Sequence, residues 1–205
     1  MVDLIIGTGN RGKGRELEKL FAPAGIRVRT LADVDDPIDV EETGTTFQEN
    51  AILKAVEQAR HLGAWVMAED SGLAVNALDG APGVYSARYA GDDATDDKNN
   101  ALVLEKLKGI PDARRGAAFC CHMALSDPTG EIQAESEGRC RGRITHELRG
   151  DTGFGYDPMF EIREYHKTFA ELGPVVKNVL SHRARAAAAI LPQLRRLIAS
   201  HKWME

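Results

Sequence analysis

Apolar residues recur along the first third of the chain at spacings that alternate between those of strands and those of helices. Residues 2–6 and 65–68 are short apolar runs, and residues 25–31 alternate apolar and polar side chains, as a half-buried strand does. Residues 15–21 carry leucines and a phenylalanine at helical spacing. Because glycine favours a helix poorly, we expect Lys13–Gly14 to delay the start of that helix.

The strongest helix signal lies between the second and third predicted strands. Thr46 and Glu49 have the spacing of a capping box, in which each side chain bonds the backbone N–H of the other residue. Apolar residues then follow on one face, and Gly63 suits the C-terminal stop. The pattern predicts a helix over residues 46–63.

The second half of the chain adds helices and an antiparallel pair of strands. Helices are predicted at residues 94–109 and 181–201, and we expect Pro192 to break or kink the last one. Residues 116–144 form two long strand patterns around the turn sequence DPTG, which predicts a hairpin. Residues 150–160 are a glycine-rich loop that leads into another strand.

This order of elements predicts the α/β class, with a mixed or parallel sheet and helices on its faces. A chain of 205 residues can bury a core as one domain, or as two lobes around a cleft. Repeats, low-complexity segments and a clear linker are absent from the sequence. We therefore predict one domain over residues 1–205, arranged in two lobes.

Charge and cysteine content restrict the functional classes. The formal net charge of −5 argues against binding along a nucleic-acid backbone, which needs clustered cations. The chain has three cysteines, and the adjacent pair Cys120–Cys121 fits neither a disulfide framework nor a zinc knuckle. Its apolar runs are shorter than the roughly 20 residues of a membrane span, and its first residues resemble a strand more than a signal peptide. We expect a cytoplasmic protein that binds neither membrane nor nucleic acid.

The loop GTGNRGK at residues 7–13 matches two phosphate-binding patterns incompletely. It fits GxGxxG of dinucleotide-binding folds, for which Asp33 lies near the position of the ribose-binding acid. It also fits GxxxxGK of the P-loop, but Gly14 stands where a P-loop has Ser or Thr. The two interpretations share backbone N–H groups at a strand-to-helix turn and the lysine Lys13. The loop therefore predicts an anion site, with a plain glycine-rich turn as the alternative.

Carboxylates cluster at two further places. Glu41 and Glu42 lie in an acidic loop, and Glu69 and Asp70 follow the apolar run at 65–68, where we expect the strand to end. Ligands of α/β sheets bind at such carboxyl ends, and one or two carboxylates suffice for Mg²⁺ when phosphate oxygens complete its shell. Turn caps and solvated charges are the structural alternative.

Two blocks in the last quarter of the chain suit recognition of a nucleotide base. FGYDP at residues 154–158 places two aromatic side chains beside an acid, which permits stacking on a base, although a core-forming turn is also possible. Ser181 suits a helix N-cap, and His182 and Arg183 follow it in the first turn. Cations are unfavourable at the positive end of a helix, so a bound ligand explains them better than stability does.

Five separated blocks together resemble a known family, the inosine/xanthosine triphosphate pyrophosphatases. The blocks span nearly the whole chain and occur in the family's order. They are TGNRGK at 8–13, EETGTTFQENAILKA at 41–55, AEDSGLAVNALDGAPGVYSARYAG at 68–91, FGYDPMF at 154–160 and KNVLSHRARA at 177–186.

The resemblance implies an elongated mixed β-sheet flanked by helices, with two lobes around a central cleft, usually in a homodimer. It implies Mg²⁺-dependent hydrolysis of ITP, dITP and XTP to the monophosphate and pyrophosphate, which cleanses the nucleotide pool. Asp70 matches the catalytic acid/base, and Glu41 and Asp70 match the metal ligands, with Glu69 a possible helper. Substrate binding is implied for Thr8, Gly9, Asn10, Arg11, Gly12, Lys13, Lys54, Ser71, Phe154, Gly155, Tyr156, Asp157, Lys177, His182 and Arg183.

Small departures from the family leave the base preference open. Ala184 stands where bacterial members usually have glycine, and residues 173–178 replace a more acidic run. Two other functional classes also remain open, a dinucleotide-dependent oxidoreductase and a nucleotide sensor without catalysis. The paired carboxylates argue against the oxidoreductase, because hydride transfer has no need of them.

Overall fold

The computed structural model describes residues 2–200 and 202–204, in which seven strands form one mixed sheet and five α-helices accompany it. The strands are β1 Val2–Ile6, β2 Ile26–Thr30, β3 Val66–Val75, β4 Gly116–Ser126, β5 Ile132–Ile144, β6 Phe160–Ile162 and β7 Lys167–Thr168. The helices are α1 Arg11–Phe21, α2 Phe47–Leu62, α3 Asp96–Lys106, α4 Phe169–Leu180 and α5 His182–Ala199. The predicted α/β class is confirmed.

The sheet has the strand order β2-β1-β3-β4-β5-β6-β7. Strand β1 pairs in parallel with β2 and with β3, and helices α1 and α2 make the connections that parallel neighbours require. Strand β6 is antiparallel to both β5 and β7. Strands β4 and β5 are neighbours joined by a tight turn in which Gly130 N donates to Asp127 O at 3.0 Å, so the predicted hairpin is confirmed.

The chain divides into two compact units, each with its own core. The first comprises the residues up to Asp70, Cys121–Gly138 and the residues from Arg183 onward. Its core includes Leu4, Phe21, Met67, Ile190 and Leu194, all fully buried. The second comprises Ser71–Cys120 and Arg139–His182, and its core includes Leu73, Val103, Phe119, Met159 and Phe160.

Strand β3 is longer than the sequence suggested. It runs from Val66 to Val75 and passes through Glu69 and Asp70, so the prediction that it ends before these acids is wrong. Successive side chains of a strand point to opposite faces, and each acid meets its own cationic partner there. Charged residues can be buried within a strand when they are paired. The sequence shows the two acids but not their partners, and for this reason the strand was predicted to end before them.

Helix α1 begins earlier than predicted. Asn10 is its N-cap, and the Asn10 Oδ1 atom accepts from Gly12 N at 2.8 Å and from Lys13 N at 3.1 Å. The prediction that Lys13–Gly14 delays the helix is therefore wrong. Gly14 serves packing instead, since a Cβ atom there would lie 2.8 Å from Cγ2 of Thr30 in β2.

The remaining helix predictions are mostly confirmed. Helix α2 has the capping box of Thr46 and Glu49 and ends at the left-handed Gly63. Helix α5 continues through Pro192 to its end, so Pro192 does not break it. Helix α4 was not predicted, because Gly173, with a φ of 77°, interrupts its helical geometry and hides its periodicity.

Candidate active site

The glycine loop that follows β1 lies directly against β3. Gly7 N donates to Met67 O at 2.8 Å, and a Cβ atom on Gly7 would lie 3.3 Å from the Cβ of Ala68. Thr8 Oγ1 accepts from Asn10 N at 3.1 Å. The loop therefore presents its polar residues beside the middle of β3, where the two acids lie.

Glu69 is the centre of a buried charge network in the first unit. Arg183 Nε donates to Oε1 and Oε2 of Glu69 at 3.0 and 2.9 Å, and Arg183 Nη2 donates to Oε1 at 2.9 Å. Lys13 Nζ lies 3.3 Å from the same Oε1 atom. Cys121 Sγ donates to Oε2 at 3.0 Å, and Arg183 Nη1 donates to Glu16 Oε2 at 2.5 Å.

The network keeps Glu69 ionised. Burial alone would raise the pKa of the Glu69 carboxyl, but Arg183 and Lys13 hold that pKa well below its usual range. Burial and the neighbouring Glu69 carboxylate raise the pKa of the Cys121 thiol, so the thiol stays protonated and donates. A carboxylate with a depressed pKa and cationic partners is a poor proton acceptor.

Asp70 lies in a different environment, with partners on α2. Asn50 Nδ2 donates to Asp70 Oδ2 at 3.1 Å, and Lys54 Nζ lies 3.6 Å from Asp70 Oδ1. Asn50 and Lys54 are four residues apart and therefore share one helix face. Burial raises the pKa of the Asp70 carboxyl, and the nearby Glu42 raises it further, although Lys54 and Asn50 lower it. The raised pKa makes Asp70 the better proton acceptor of the two acids.

The second carboxylate in this cluster is Glu42. Lys54 Nζ donates to Glu42 Oε1 at 2.6 Å, whereas Glu41, the predicted metal ligand, is exposed. Within residues 2–200 and 202–204, no group of three or more His, Cys, Asp or Glu side chains is arranged to hold a metal ion. Mg²⁺ takes most of its oxygens from phosphate and water, so the one or two carboxylates available here would be enough for it beside a bound triphosphate.

A pocket of about 620 Å³ opens beside the glycine loop, between α1 and β2. Asp33 lines it, but the Asp33 carboxylate accepts from Thr30 N at 2.8 Å and from Thr30 Oγ1 at 2.9 Å. These two bonds lower the pKa of Asp33 and close a capping box at the end of β2. The Asp33 carboxylate therefore bonds Thr30 locally, whereas in a dinucleotide-binding fold the corresponding acid bonds the ribose of the cofactor.

The aromatic block forms a second cluster, in the second unit. Lys177 Nζ lies 4.0 Å from the centroid of the Phe154 ring and donates to Asp157 Oδ2 at 2.6 Å. Asp157 Oδ2 also accepts from Phe154 N at 2.9 Å. Gly153 has a φ of 85°, and a Cβ atom there would lie 2.2 Å from Asp157 Oδ2. The glycine thus permits the carboxylate to close the loop and hold the lysine.

Other predicted residues of the second unit have packing partners. The Tyr156 hydroxyl donates to Ser86 O at 2.7 Å, and burial raises the pKa of that hydroxyl. The His182 ring stacks on Phe119, with centroids 4.8 Å apart and planes 11° apart. Ser71 is half-buried in β3. Of the two loop aromatics, Phe154 is the more accessible.

The predicted site residues are thus divided between the units. The first holds Thr8, Gly9, Asn10, Arg11, Gly12, Lys13, Glu41, Lys54, Asp70 and Arg183, and the second holds Ser71, Phe154, Gly155, Tyr156, Asp157, Lys177 and His182. Sequence reasoning missed Glu16, Asn50 and Cys121 as members of the charge clusters. Asn50 lies four residues before Lys54 on the same helix, so its spacing could have indicated that it belongs to the cluster. The sequence contains no comparable signal for Glu16 or Cys121.

The fold and these clusters define an α/β protein whose first loop, with a lysine and a buried carboxylate beside it, suits a phosphorylated ligand. The chain belongs to the Ham1 family, whose model matches residues 4–193. A dITP/XTP pyrophosphatase from Rhodopirellula baltica is 53% identical over 201 residues, covering 98% of this chain and 97% of that protein. A protein of the same name from Desulforamulus reducens is 46% identical over 194 residues, covering 95% and 96%.

Solved structures agree with this assignment. The Ham1 protein from Coxiella burnetii has a TM-score of 0.84 at 39% identity, covering 98% of this chain and 100% of that one. A Mycobacterium abscessus protein described as a nucleoside-triphosphatase / dITP/XTP pyrophosphatase has a TM-score of 0.75 at 44% identity, with 94% and 100% covered. The resemblance that the five sequence blocks indicated is confirmed, and the relatives' names agree with the predicted enzyme class.

Proposed function

We propose that this protein hydrolyses purine nucleoside triphosphates with a 6-oxo group, namely ITP, dITP and XTP, to the monophosphate and pyrophosphate. The observation that carries the proposal is the environment of Asp70, whose buried carboxyl has a raised pKa and contacts Asn50 and Lys54. Support also comes from relatives named dITP/XTP pyrophosphatase that match almost the full length of the chain.

The reaction requires water to attack the α-phosphorus in line with the departing pyrophosphate. The water oxygen forms a bond to the α-phosphorus. The bond between the α-phosphorus and the oxygen that bridges it to the β-phosphorus breaks, pyrophosphate leaves, and the water releases a proton. Asp70 Oδ1 or Oδ2 orients the water and accepts this proton, for which its raised pKa is favourable. Lys13 and Lys54 place two ammonium groups near the developing negative charge.

We propose that Glu41 and Asp70 would hold Mg²⁺, Asp70 directly or through one water, since a directly bound cation would lower the pKa of its carboxyl. The ion would neutralise charge on the triphosphate when bound. Glu42 is not included in this set, because its carboxylate already accepts a hydrogen bond from Lys54. Glu69 is a positioning residue in this scheme, since it fixes the Lys13 ammonium and the Arg183 guanidinium through hydrogen bonds and charge.

Base recognition is assigned to the second cluster. The Phe154 ring offers a face for stacking, and His182 or backbone N–H groups would donate to the 6-oxo oxygen, whereas the Arg183 guanidinium is already bonded to Glu69 and Glu16. Adenine presents an amino group there and would leave such donors unpaired. Each buried donor left unpaired costs roughly 1–3 kcal/mol, so two or more are needed for strong selectivity.

The test is to incubate the protein with ITP, XTP, GTP or ATP, with and without Mg²⁺, and to separate the products by ion-exchange chromatography. Inosine or xanthosine monophosphate together with pyrophosphate is the expected result, with little product from ATP. Release of orthophosphate, or no turnover of ITP and XTP, would contradict the proposal. Equal turnover without Mg²⁺ would contradict its metal dependence alone.

We also propose that the protein is a homodimer, as the resemblance implies. Light scattering on a size-exclusion column measures this directly. A mass of about twice the 22.4 kDa of one chain is expected, and the mass of a single chain would contradict the proposal.

A further inference from the structure

One face of helix α3 holds the backbone of Gly155 by both of its polar groups. Asp96 Oδ2 accepts from Gly155 N at 2.7 Å, and Asn100 Nδ2 donates to Gly155 O at 3.0 Å. Asp96 and Asn100 are four residues apart, so their side chains lie on the same face of the helix. We call this pair of side chains the α3 clamp.

The clamp acts at the point where the 154–157 loop turns. Gly155 has a φ of 60°, in the left-handed region, and it directly follows Phe154. On the other side of the loop, Asp157 holds Phe154 N and Lys177. The backbone that carries the Phe154 ring is therefore held from two sides, by Asp157 within the loop and by α3.

Asn100 makes only part of the hydrogen bonding that its amide allows. The side chain is 2% exposed, and within the described part of the chain its Oδ1 atom has no hydrogen-bond partner. A buried amide oxygen without a partner costs stability, and a leucine of similar size would avoid that cost. The feature that the asparagine supplies and a leucine lacks is the bond from Nδ2 to Gly155 O.

We propose that Asp96 and Asn100 are positioning residues that set the orientation of Phe154 and thereby the affinity for the base of the triphosphate. This inference rests on the proposed function and extends it to residues that need not touch the substrate. The clamp acts on binding, so its loss should affect KM far more than kcat.

Helix α3 provides a matched control. Asp97 follows Asp96 in the same first turn and is also exposed, so both acids interact with the helix dipole in the same way. The Gly155 bond comes from Asp96. Asp97→Ala therefore removes an equivalent charge from the helix and leaves the clamp intact.

The experiment measures KM and kcat for ITP in Asp96→Ala, Asn100→Leu and Asp97→Ala, with the thermal midpoint of each variant. We expect KM to rise about tenfold in the first two variants, as the loss of one hydrogen bond implies, with kcat within about twofold of wild type. Asp97→Ala should keep the wild-type KM. Asn100→Leu should have a thermal midpoint close to that of wild type, because removal of the unpaired Oδ1 atom offsets the lost bond to Gly155 O.

Two results would overturn the inference. One is an unchanged KM in Asn100→Leu and Asp96→Ala, and the other is an equal rise of KM in Asp97→Ala. Hydrogen exchange at the Gly155 amide provides a readout without substrate, since Asp96→Ala should accelerate it and Asp97→Ala should not. If wild-type protein fails to hydrolyse ITP, the proposed function fails, and the exchange measurement still decides whether the clamp orders the loop.

Discussion

Two neighbouring acids, Glu69 and Asp70, have opposite pKa shifts because strand geometry sends them to opposite faces of β3. Glu69 meets Arg183 and Lys13, which keep it ionised. Asp70 is buried with weaker compensation from Lys54 at 3.6 Å. The sequence showed that the pair was chemically important, but it could not divide the roles, because their partners come from other elements.

We predict that Asp70→Asn abolishes turnover of ITP while the protein remains folded. Asparagine preserves the size of the side chain, but it cannot accept the proton, and loss of a general base typically costs about 10²–10⁴-fold in rate. The measurement is kcat for ITP, with circular dichroism to confirm the fold. Glu57→Gln, at an exposed position of α2, is the control and should retain activity. A near-normal kcat in Asp70→Asn would remove this residue from the mechanism.

A second prediction separates Glu41 from Glu42. Glu41→Gln should raise the Mg²⁺ concentration for half-maximal activity about tenfold or more, because it removes a proposed hard oxygen ligand. Glu42→Gln should change this concentration less, because the Glu42 carboxylate is already paired with Lys54. Titration of activity with Mg²⁺ in both variants is the measurement. A larger effect in Glu42→Gln than in Glu41→Gln would indicate that Glu42, and not Glu41, is the metal ligand.

At the scale of elements, the helices show what local sequence can and cannot specify. The Thr46 capping box and Gly63 predicted both ends of α2, because caps depend on residues within one turn. The start of α1 was misplaced, since Gly14 is favoured by its close packing on β2 and not by helix propensity. Helix α4 was missed because its central Gly173 breaks the periodicity.

Strand β6 allows a prediction about pH. Its Glu161 side chain is 4% exposed and lies 2.7 Å from both Arg143 Nε and Arg149 Nη2. Burial alone would raise the pKa of Glu161, but these two arginines lower it overall. A depressed pKa in the folded state means that the stabilisation is complete above the unfolded-state pKa and is lost as pH falls through the folded-state value.

The Glu161→Gln variant should therefore be less stable than wild type at pH 7, by about 1–3 kcal/mol. The difference should shrink on acidification below about pH 4, where the unfolded-state carboxyl protonates. Urea unfolding of both proteins at pH 7 and pH 3.5 measures it. A difference that grows toward acid pH would contradict the sign of the pKa shift.

For the whole molecule, the order of the strands and helices could largely be predicted, and so could the α/β class. Local periodicity, turns and caps are sufficient for that. The charge clusters could not be predicted, because their members are distant in sequence. Arg183 and Glu69, for example, are 114 residues apart. The five sequence blocks predicted which residues belong to the candidate site, whereas the structure shows which of these residues are in contact with each other.

This long-range pair supports a prediction about global stability. Glu69→Gln leaves the buried Arg183 guanidinium with reduced compensation, because only Glu16 remains as a charged acceptor among the contacts described above. Breaking a buried ion pair typically costs about 3–5 kcal/mol, so the urea midpoint should fall steeply. Glu18→Gln, at an exposed position of α1, is the control. A loss below about 1 kcal/mol in Glu69→Gln would contradict a structural role for the network.

The first unit is assembled from three separate chain segments, and this has a consequence for synthesis. Its core includes Ile190 and Leu194 of α5, and Arg183 of the same helix compensates Glu69. A nascent chain that has not yet been extended through α5 carries Glu69 without its main cation and lacks one side of that core. The first unit therefore completes its folding only after α5 has been synthesised, when all segments of the second unit have already been made.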